Sequence, residues 1–440
     1  MGGHILSVRS GSMNSRNSPA NPPSGVSRRG VVAAAGLAAG LASAADRLPH
    51  PVTGWTRIAL GLGPGVANLR VIAAMHLAMH DALNAVEPRF IRLHPAGPDE
   101  PAPGAAVGAP ALAMAAAAAE TMARLHPFGA SRAESSLYAA RQGVPPRAAM
   151  AAEALGRAVG RNLCAWLEQA RPMGLMRLEG SNLPGHWRPT PPRPLAAELL
   201  VFAPFLVTPG PALYGPGPPE PGSPRYLADL AEVRLWGAVR SQARAAEQSE
   251  AAQYWAVQDV LRSSVLMALE MLEAEPVSLH DGARAMARMV AGMADSYIAW
   301  ATAKRRFDFW RPVTAIQEGG FGVTRDRGWL PYLITPQHPE FPSGHATDCS
   351  TSTALLRGLF PHAVGPFRFR SLSSQMPQDA DYSGIEAAAE ECRMSRLWAG
   401  VHFRSANDDG KRLGEAVAQV ALAALPPLQL RPAPPPDAGR

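Results

Sequence analysis

The chain of 440 residues is long enough to bury a large core and to form one to three domains. Its 47% hydrophobic and 18% charged residues are typical of a globular, helical protein. The net charge of +6 falls to +2 once residues 1–44, with four arginines and no acid, are set aside (38 basic against 36 acidic side chains remain), so the charge gives no reason to expect a nucleic-acid-binding protein.

Residues 1–44 have the pattern of a twin-arginine-type export signal. Ser27-Arg28-Arg29-Gly30 precedes an apolar run from Val31 to Ala42, and Ala42-Ser43-Ala44 fits a small-residue cleavage site. The run is 12 residues long, whereas a membrane span needs roughly 20, so a membrane anchor is disfavoured. We therefore expect an exported protein, periplasmic or extracellular, whose mature chain does not span the membrane.

Helical periodicity follows an irregular lead-in at 45–66. Apolar residues recur at spacings of three and four over 68–86, and His76 and His80 lie one turn apart there. Leu77 stands where the HExxH zinc motif needs glutamate, so we interpret both histidines as structural. Further alanine-rich helices are predicted at 105–125, 131–142 and 146–170.

A proline- and glycine-rich stretch at 171–223 predicts a long connection between two helical layers, because prolines at this density cannot form one helix. Further helices are predicted at 226–247, 249–274, 278–304, 343–356, 383–396 and 408–425, with a loop at 315–342 and no strand. The chain thus divides into an N-terminal bundle with its connection (45–225), a C-terminal bundle (226–425) and a disordered tail (426–440).

Three cysteines, Cys164, Cys349 and Cys392, are far apart, odd in number and without a CxxC pair. This pattern excludes a zinc ribbon and argues against a disulfide framework. We predict buried, apolar thiols at all three positions.

The helix at 278–304 ends on an unusual residue. Ser278 and Asp281 predict its capped start, and its buried stripe continues from Trp300 to Lys304. Lys304 is one of only two lysines in the chain. Burying an ammonium group costs free energy unless the group is paired, so this position predicts an anion nearby.

Three islands supply the groups that a tetrahedral oxyanion needs. Lys304 and Arg311 form K-x6-R-P, Pro342-Ser343-Gly344-His345 follows, and Arg396 precedes His402 in S-R-x5-H. Arginine forks and an ammonium bind oxyanions, a helix start offers free backbone N–H groups, and two histidines can attack the central atom and move protons. Each residue alone has an ordinary structural explanation, but three ordered islands predict a shared site.

Together these islands resemble the signature of the vanadium-dependent haloperoxidases and the type-2 phosphatidic acid phosphatase superfamily. The haloperoxidase branch is the more similar in the surrounding stretches, which are Asp81–Ala85, Trp187–Pro192, Ala299–Lys304, Phe309–Ile316 and His338–Thr347. The resemblance runs from about residue 68 to 420. It implies an all-α fold of two helical bundles, with the oxyanion held at one end of the second, and vanadate as cofactor.

Site roles follow from the resemblance, residue by residue. The oxygen-binding set is Lys304, Arg311, Ser343, Gly344 and Arg396. His402 is the residue bonded to vanadium, or the phosphorylated nucleophile of a phosphatase, and His345 is the acid–base histidine. Lys304 is also implied to be catalytic. One departure is Ala406, because the family usually has an aspartate there that orients the metal-bound imidazole. We expect this change to weaken imidazole orientation, with Asp408 and Asp409 nearby at other helical phases.

His338 bears on the halide. In the enzymes that the chain resembles, histidine at this place accompanies bromide oxidation, whereas phenylalanine accompanies chloride oxidation. An imidazole makes the pocket less apolar around the halide, so we expect bromide rather than chloride to be oxidised, with His338 and Trp310 lining the pocket. The structural alternative is an exposed loop histidine beside Pro339.

Two classes of enzyme remain open. One is an exported haloperoxidase acting on hydrogen peroxide and a halide, and the other is an acid phosphatase that hydrolyses a small phosphate ester through phosphorylated His402. A third, non-enzymatic reading retains the fold and is impaired by Ala406. Neither nucleic acid nor a membrane is an expected partner, and a homo-oligomer remains open.

Overall fold

A computed structural model describes residues 50–170, 173–191, 197–362 and 365–428 of the chain. The protein is about 60% helical with only small strand pairs, which confirms the predicted all-α class. No helix in these ranges is both long and apolar enough to cross a membrane. The predicted export signal at 1–44 lies outside the described residues.

Alanine-rich helices form the first bundle. They are α1 (Pro51–Leu60), α2 (Val66–Val86), α3 (Pro110–Leu125), α4 (Ala130–Arg141) and α5 (Pro146–Ala170), with a short 3₁₀ helix at Gly104–Gly108. The prediction of an irregular lead-in is wrong at α1. Pro51 begins this helix, where its missing N–H is not needed, and the His50 ring accepts a hydrogen bond from the Val52 N–H (3.3 Å).

Two small antiparallel strand pairs correct the prediction of no strands. Strands β1 (Gly174–Leu178) and β2 (Ala197–Val201) pair within the proline-rich connection, and β3 (Phe367–Phe369) pairs with β4 (Ala380–Tyr382) in the second half. Strands of five and three residues are too short to show a clear alternating pattern in the sequence.

Helices of the second half surround the longest one. They are α6 (Pro211–Tyr214), α7 (Pro224–Trp236), α8 (Ala246–Ala256), α9 (Val260–Ala274), α10 (Leu279–Phe307), α11 (Pro312–Glu318), α12 (Gly344–Leu359), α13 (Ile385–Trp398) and α14 (Arg404–Ala423). Three differences from prediction are the largest. The helix predicted at 249–274 is two helices, α8 and α9, separated at residues 257–259. The helix predicted to run to 247 ends at Trp236, because Ser241 organises a turn by accepting from the backbone of Ala243 and Arg244. The loop predicted at 315–342 begins later than expected, because α11 continues to Glu318.

Helix α10 joins the two bundles. Its start is capped as predicted, since Ser278 Oγ accepts from the Asp281 N–H (3.1 Å). The helix packs against α2 of the first bundle and against α12 and α14 of the second. One apolar core therefore runs through both bundles, and Lys304 lies at its edge, in the last turn of α10.

Glycines allow α14 to approach α12 closely. A Cβ at Gly414 would lie 2.3 Å from the Thr347 carbonyl oxygen, and one at Gly410 would lie 2.8 Å from that of Ser343. Only glycine permits this separation without displacing backbone. The contact brings α14 against the start of α12.

The predicted tail begins as part of the fold. Ile91 N–H donates to the Pro426 carbonyl and Leu428 N–H to that of Arg89, each at 2.9 Å, so 426–428 pair with 89–91. The rest of the tail, 429–440, lies outside the described residues.

Cys349 and Cys392 form a disulfide, so the prediction of three free thiols is wrong for these two. They are 43 residues apart in sequence, and the packing of α12 on α13 brings their Cα atoms to 6.8 Å. Such a pairing depends on the tertiary fold and leaves no local sequence pattern. Cys164 remains a buried free thiol, and burial raises its pKa to about 12.

We expect the disulfide to stabilise the second bundle. Loss of a cross-link across 43 residues should lower the free energy of unfolding by about 4 kcal/mol, through greater freedom of the unfolded chain. A reductant should therefore lower the melting temperature of the wild type by several degrees and leave a Cys349→Ala/Cys392→Ala variant unaffected. An unchanged wild-type melting temperature in reductant, with both thiols shown to be free, would contradict this expectation.

Candidate functional site

All three sequence islands meet at the end of α10. Lys304 lies in the last turn of α10, Arg311 precedes α11, Ser343 precedes α12, Arg396 lies in the last turn of α13, and His402 lies between α13 and α14. Their side chains are at most 4% exposed. Long separations in sequence thus become one buried cluster, which we call the oxyanion cluster.

Lys304 ties down the loop that leads to Ser343. Its Nζ donates to the carbonyls of Pro339 (2.8 Å), Glu340 (2.9 Å) and Pro342 (2.6 Å). Three acceptors match the three N–H bonds of an ammonium group, which favours the charged form. Burial and the nearby Arg311 act the other way and lower the pKa of Lys304. The role of Lys304 toward an anion stays a prediction, because in this structure its donors are taken by the loop.

Arg311 connects His338 and His402, which are 64 positions apart in sequence. Its Nη1 donates to the Val401 carbonyl (2.7 Å) and to Nε2 of His402 (3.1 Å). Its Nε and Nη2 donate to the carbonyl (2.9 Å) and Nδ1 (3.1 Å) of His338. Because arginine is always a donor, Nε2 of His402 acts as an acceptor, whereas Nδ1 of His338 faces both Arg311 and the Pro339 carbonyl (3.2 Å).

Glu340 is the site residue that sequence reasoning missed. His402 Nδ1 donates to Glu340 Oε1 at 2.9 Å, and the Phe403 N–H donates to the same oxygen at 2.9 Å. The side chain is fully buried, and burial raises the pKa of Glu340 to about 8, although Arg311 and Lys304 act in the opposite direction. A signal was present in the sequence, since Glu340 is the one carboxylate in the stretch His338–Thr347.

The carboxylates of α14 do not orient His402. Ala406 is buried among apolar side chains, Asp408 pairs with Arg393, and Asp409 pairs with Arg412. The expectation of a poorly oriented imidazole at His402 rested on Ala406 alone. In the structure the carboxylate of Glu340 reaches Nδ1 of His402 from another segment of the chain.

Buried donors without a partner among the described residues mark where an anion would bind. Ser343 does not cap α12, and its hydroxyl is buried without a hydrogen-bond partner among the described residues. Nε and Nη1 of Arg396 are likewise buried and unpaired. Native proteins rarely leave such groups unsatisfied, and a helix N-terminus adds further backbone donors. A Cβ at Gly344 would lie 3.2 Å from the Trp300 ring, so glycine keeps this helix start close to α10.

His345 lies on the first turn of α12. Its Nε2 lies 3.0 Å from the Trp255 carbonyl, which can only accept, so Nε2 carries the hydrogen and Nδ1 the lone pair. Burial, with a contribution from Arg396, lowers the pKa of His345 to about 3. The imidazole is therefore neutral and can accept a proton once an anion offsets the nearby positive charge.

The two residues predicted to line a halide pocket lie in different surroundings. His338 is partly buried, bonded to Arg311 and 5.9 Å from the Trp300 ring, so it is not a free loop histidine. Trp310 is fully buried and packs between Tyr226 and Phe321. Trp300, assigned from sequence only to a buried stripe, has its ring centroid 5.8 Å from Lys304 Nζ.

The proline-rich connection supports both loops of the site. Trp187 N–H donates to the Asp308 carbonyl (2.8 Å), and Trp310 N–H donates to that of Gly185 (3.1 Å). Gln337 Nε2 donates to the Thr190 carbonyl at 2.7 Å. Residues 185–190 therefore fix the chain just before Arg311 and just before His338.

The electrostatics of the cluster favour an anion rather than a metal cation. Burial lowers the pKa of Arg311 to about 9 and that of Arg396 to about 10, because no full set of counter-charges surrounds them. No group of three or more His, Cys, Asp or Glu in the described ranges is placed to hold a metal ion. His76 and His80 instead bond to Thr56 and Asp81, as their structural interpretation predicts.

Fold and site together define an all-α protein of two bundles with a cationic, buried cluster at the end of the second. Residues 284–427 match the family of the VCPO second helical-bundle domain, a range that contains the whole oxyanion cluster. The predicted resemblance to the vanadium-dependent haloperoxidase family is thus confirmed by sequence in the second bundle. A search of curated protein sequences finds no relative.

Solved structures share the fold across both bundles. A bacterial vanadium-dependent iodoperoxidase matches with a TM-score of 0.68 at 21% identity, over 90% of this chain and 98% of that one. The holo form of a bacterial vanadium-dependent chloroperoxidase matches with a TM-score of 0.59 at 19% identity, over 81% of this chain and 91% of that one. At these identities the likeness describes the fold.

Arg396 and Ser343 should carry much of the anion affinity, because their donors are otherwise unpaired. Charge-assisted hydrogen bonds contribute about 1.5–3 kcal/mol, so Arg396→Ala should weaken binding of orthovanadate or phosphate by roughly 10- to 100-fold, and Ser343→Ala by less. Isothermal titration measures both. Arg393→Ala, on the same helix but paired with Glu390 and Asp408, is the matched control. Equal affinities for all three variants and the wild type would contradict the assignment.

Proposed function

We propose that the protein is a vanadate-dependent haloperoxidase that oxidises a halide with hydrogen peroxide. One observation carries the proposal. Ser343 and Arg396 have buried donors without a partner among the described residues, and they lie in the same cluster as His402, whose Nε2 has no hydrogen. Such a cluster suits a tetrahedral oxyanion that accepts hydrogen bonds and one bond from imidazole nitrogen.

Vanadate, when bound, supplies a Lewis acid that activates hydrogen peroxide without a change of its oxidation state. The protein contributes binding and orientation. Arg396, Ser343 and the N–H groups at the start of α12 donate to oxyanion oxygens, and Arg311 adds positive charge beside His402. His402 presents Nε2 as the bonding atom. His345, neutral and with a free Nδ1, accepts and returns a proton.

Export fits the same proposal. Disulfides persist in oxidising compartments and are rare in the cytosol of most organisms, so Cys349–Cys392 supports a periplasmic or extracellular location. The twin-arginine pattern at 1–44 supports it independently.

The central test compares two activities of the purified protein. Peroxide-dependent bromination should require loading with orthovanadate, and His402→Ala should abolish it and weaken vanadate binding. His345→Ala should lose turnover but keep vanadate, because this histidine moves protons rather than bonding the anion. The control is His362→Ala, an exposed histidine elsewhere. Hydrolysis of phosphate esters without bromination at any vanadate loading would instead establish the phosphatase.

Halide preference should follow His338. We propose that bromide and iodide are oxidised and chloride poorly, because the His338 imidazole, held by Arg311, makes the pocket polar. Steady-state rates with each halide at equal concentration measure this preference. His338→Phe should raise the ratio of chloride to bromide oxidation. Efficient chlorination by the wild type would refute the proposal, whatever the variant does.

A further inference from the structure

Glu340 lies where it can set the orientation and the tautomer of His402. We infer that Glu340 is the positioning residue for His402. It orients the imidazole in place of a carboxylate at position 406, where this chain has Ala406. The inference rests on the proposed function, in which His402 Nε2 bonds the anion.

The hydrogen bonds define one tautomer from both sides of the ring. Glu340 Oε1 accepts from Nδ1 at 2.9 Å, so the single hydrogen of a neutral imidazole lies on Nδ1. Arg311 Nη1 approaches Nε2 at 3.1 Å and can only donate, so Nε2 keeps its lone pair. This is the tautomer that a bond from Nε2 requires. A carboxylate on the distal nitrogen also increases the basicity of the ring.

Glu340 is itself held in place by contacts to the first and third islands. Its N–H donates to the Phe309 carbonyl (2.9 Å), and its own carbonyl accepts from Lys304 (2.9 Å). Its Oε1 also accepts from the Phe403 N–H, next to His402. A fully buried side chain with these contacts has few alternative rotamers, so it can transmit the position of the loop to the imidazole.

No carboxylate of α14 competes for this task. Ala406 lies one turn after His402, is fully buried, and gives its carbonyl to the Ser343 N–H (3.0 Å). Asp408 and Asp409 are engaged by arginines. Within the described ranges, Glu340 is the acid bonded to His402.

The first experiment replaces the carboxyl group of Glu340 with an amide of the same size. Glu340→Gln should weaken orthovanadate binding by roughly 10- to 100-fold, as loss of a group that orients a ligand typically does. In ¹⁵N-histidine-labelled protein without vanadate, the His402 signals, assigned by their loss in His402→Ala, should move from a pure Nδ1–H tautomer toward a mixture. Glu100→Gln, which removes a largely buried carboxylate that is paired with Arg92 away from the site, should change neither.

The second experiment moves the carboxylate. Glu340→Gln/Ala406→Asp should regain part of the lost affinity and return the His402 signals toward those of the wild type. Should Glu340→Gln not fold, Glu340→Asp, which withdraws the charge by one methylene, gives the same comparison. Unchanged affinity in the folded variant, or lost affinity with unchanged His402 signals, would overturn the inference. A wild type that binds no vanadate would refute the proposed function, while the imidazole signals would still test Glu340.

Discussion

Burial of three cationic side chains at one end of the second bundle is the constraint on which the site depends. An ammonium and two guanidinium groups lose their hydration there, and each must recover hydrogen bonds from the protein or from a ligand. Lys304 and Arg311 recover theirs from backbone carbonyls and from two histidines. Arg396 does not, since two of its nitrogens have no hydrogen-bond partner in the part of the chain that the structure describes. Protein groups thus compensate the lost hydration of Lys304 and Arg311, whereas Arg396 keeps donors that an anion can satisfy.

This division gives the loop from His338 to Ser343 its function in the fold. Its carbonyls accept from Lys304 and Arg311, its carboxylate accepts from His402, and its last residue presents a free hydroxyl. The cations therefore shape the loop that shapes the anion site. A loop without helix or strand can be rigid in this way, because its polar backbone atoms are satisfied by charged side chains rather than by a regular ladder.

Sequence reasoning recovered what short-range chemistry determines. The all-α class, the capped start of α10 and the gathering of Lys304, Arg311, Ser343, Arg396 and His402 follow from periodicity and from motifs whose residues have specific chemistry. It missed the Cys349–Cys392 bond, because the distance between two helices has no local pattern. It also missed α1. Pro51 suggests an irregular segment, although a proline is common at the first position of a helix and Trp55 of this helix is buried.

Ala406 shows the limit of carrying roles over by position. A motif records which residue occupies a place in the chain, whereas the imidazole of His402 requires only an acceptor at Nδ1. Helix α14 approaches the start of α12 so closely that only glycine fits at Gly410. Ala406 therefore faces the Ser343 backbone among apolar side chains. The loop after α11 passes the other side of the ring and can supply the carboxylate from there. Because Glu340 is bonded to Lys304 through its carbonyl and to His402 through its side chain, this arrangement couples the buried ammonium to the bonding nitrogen within a single residue.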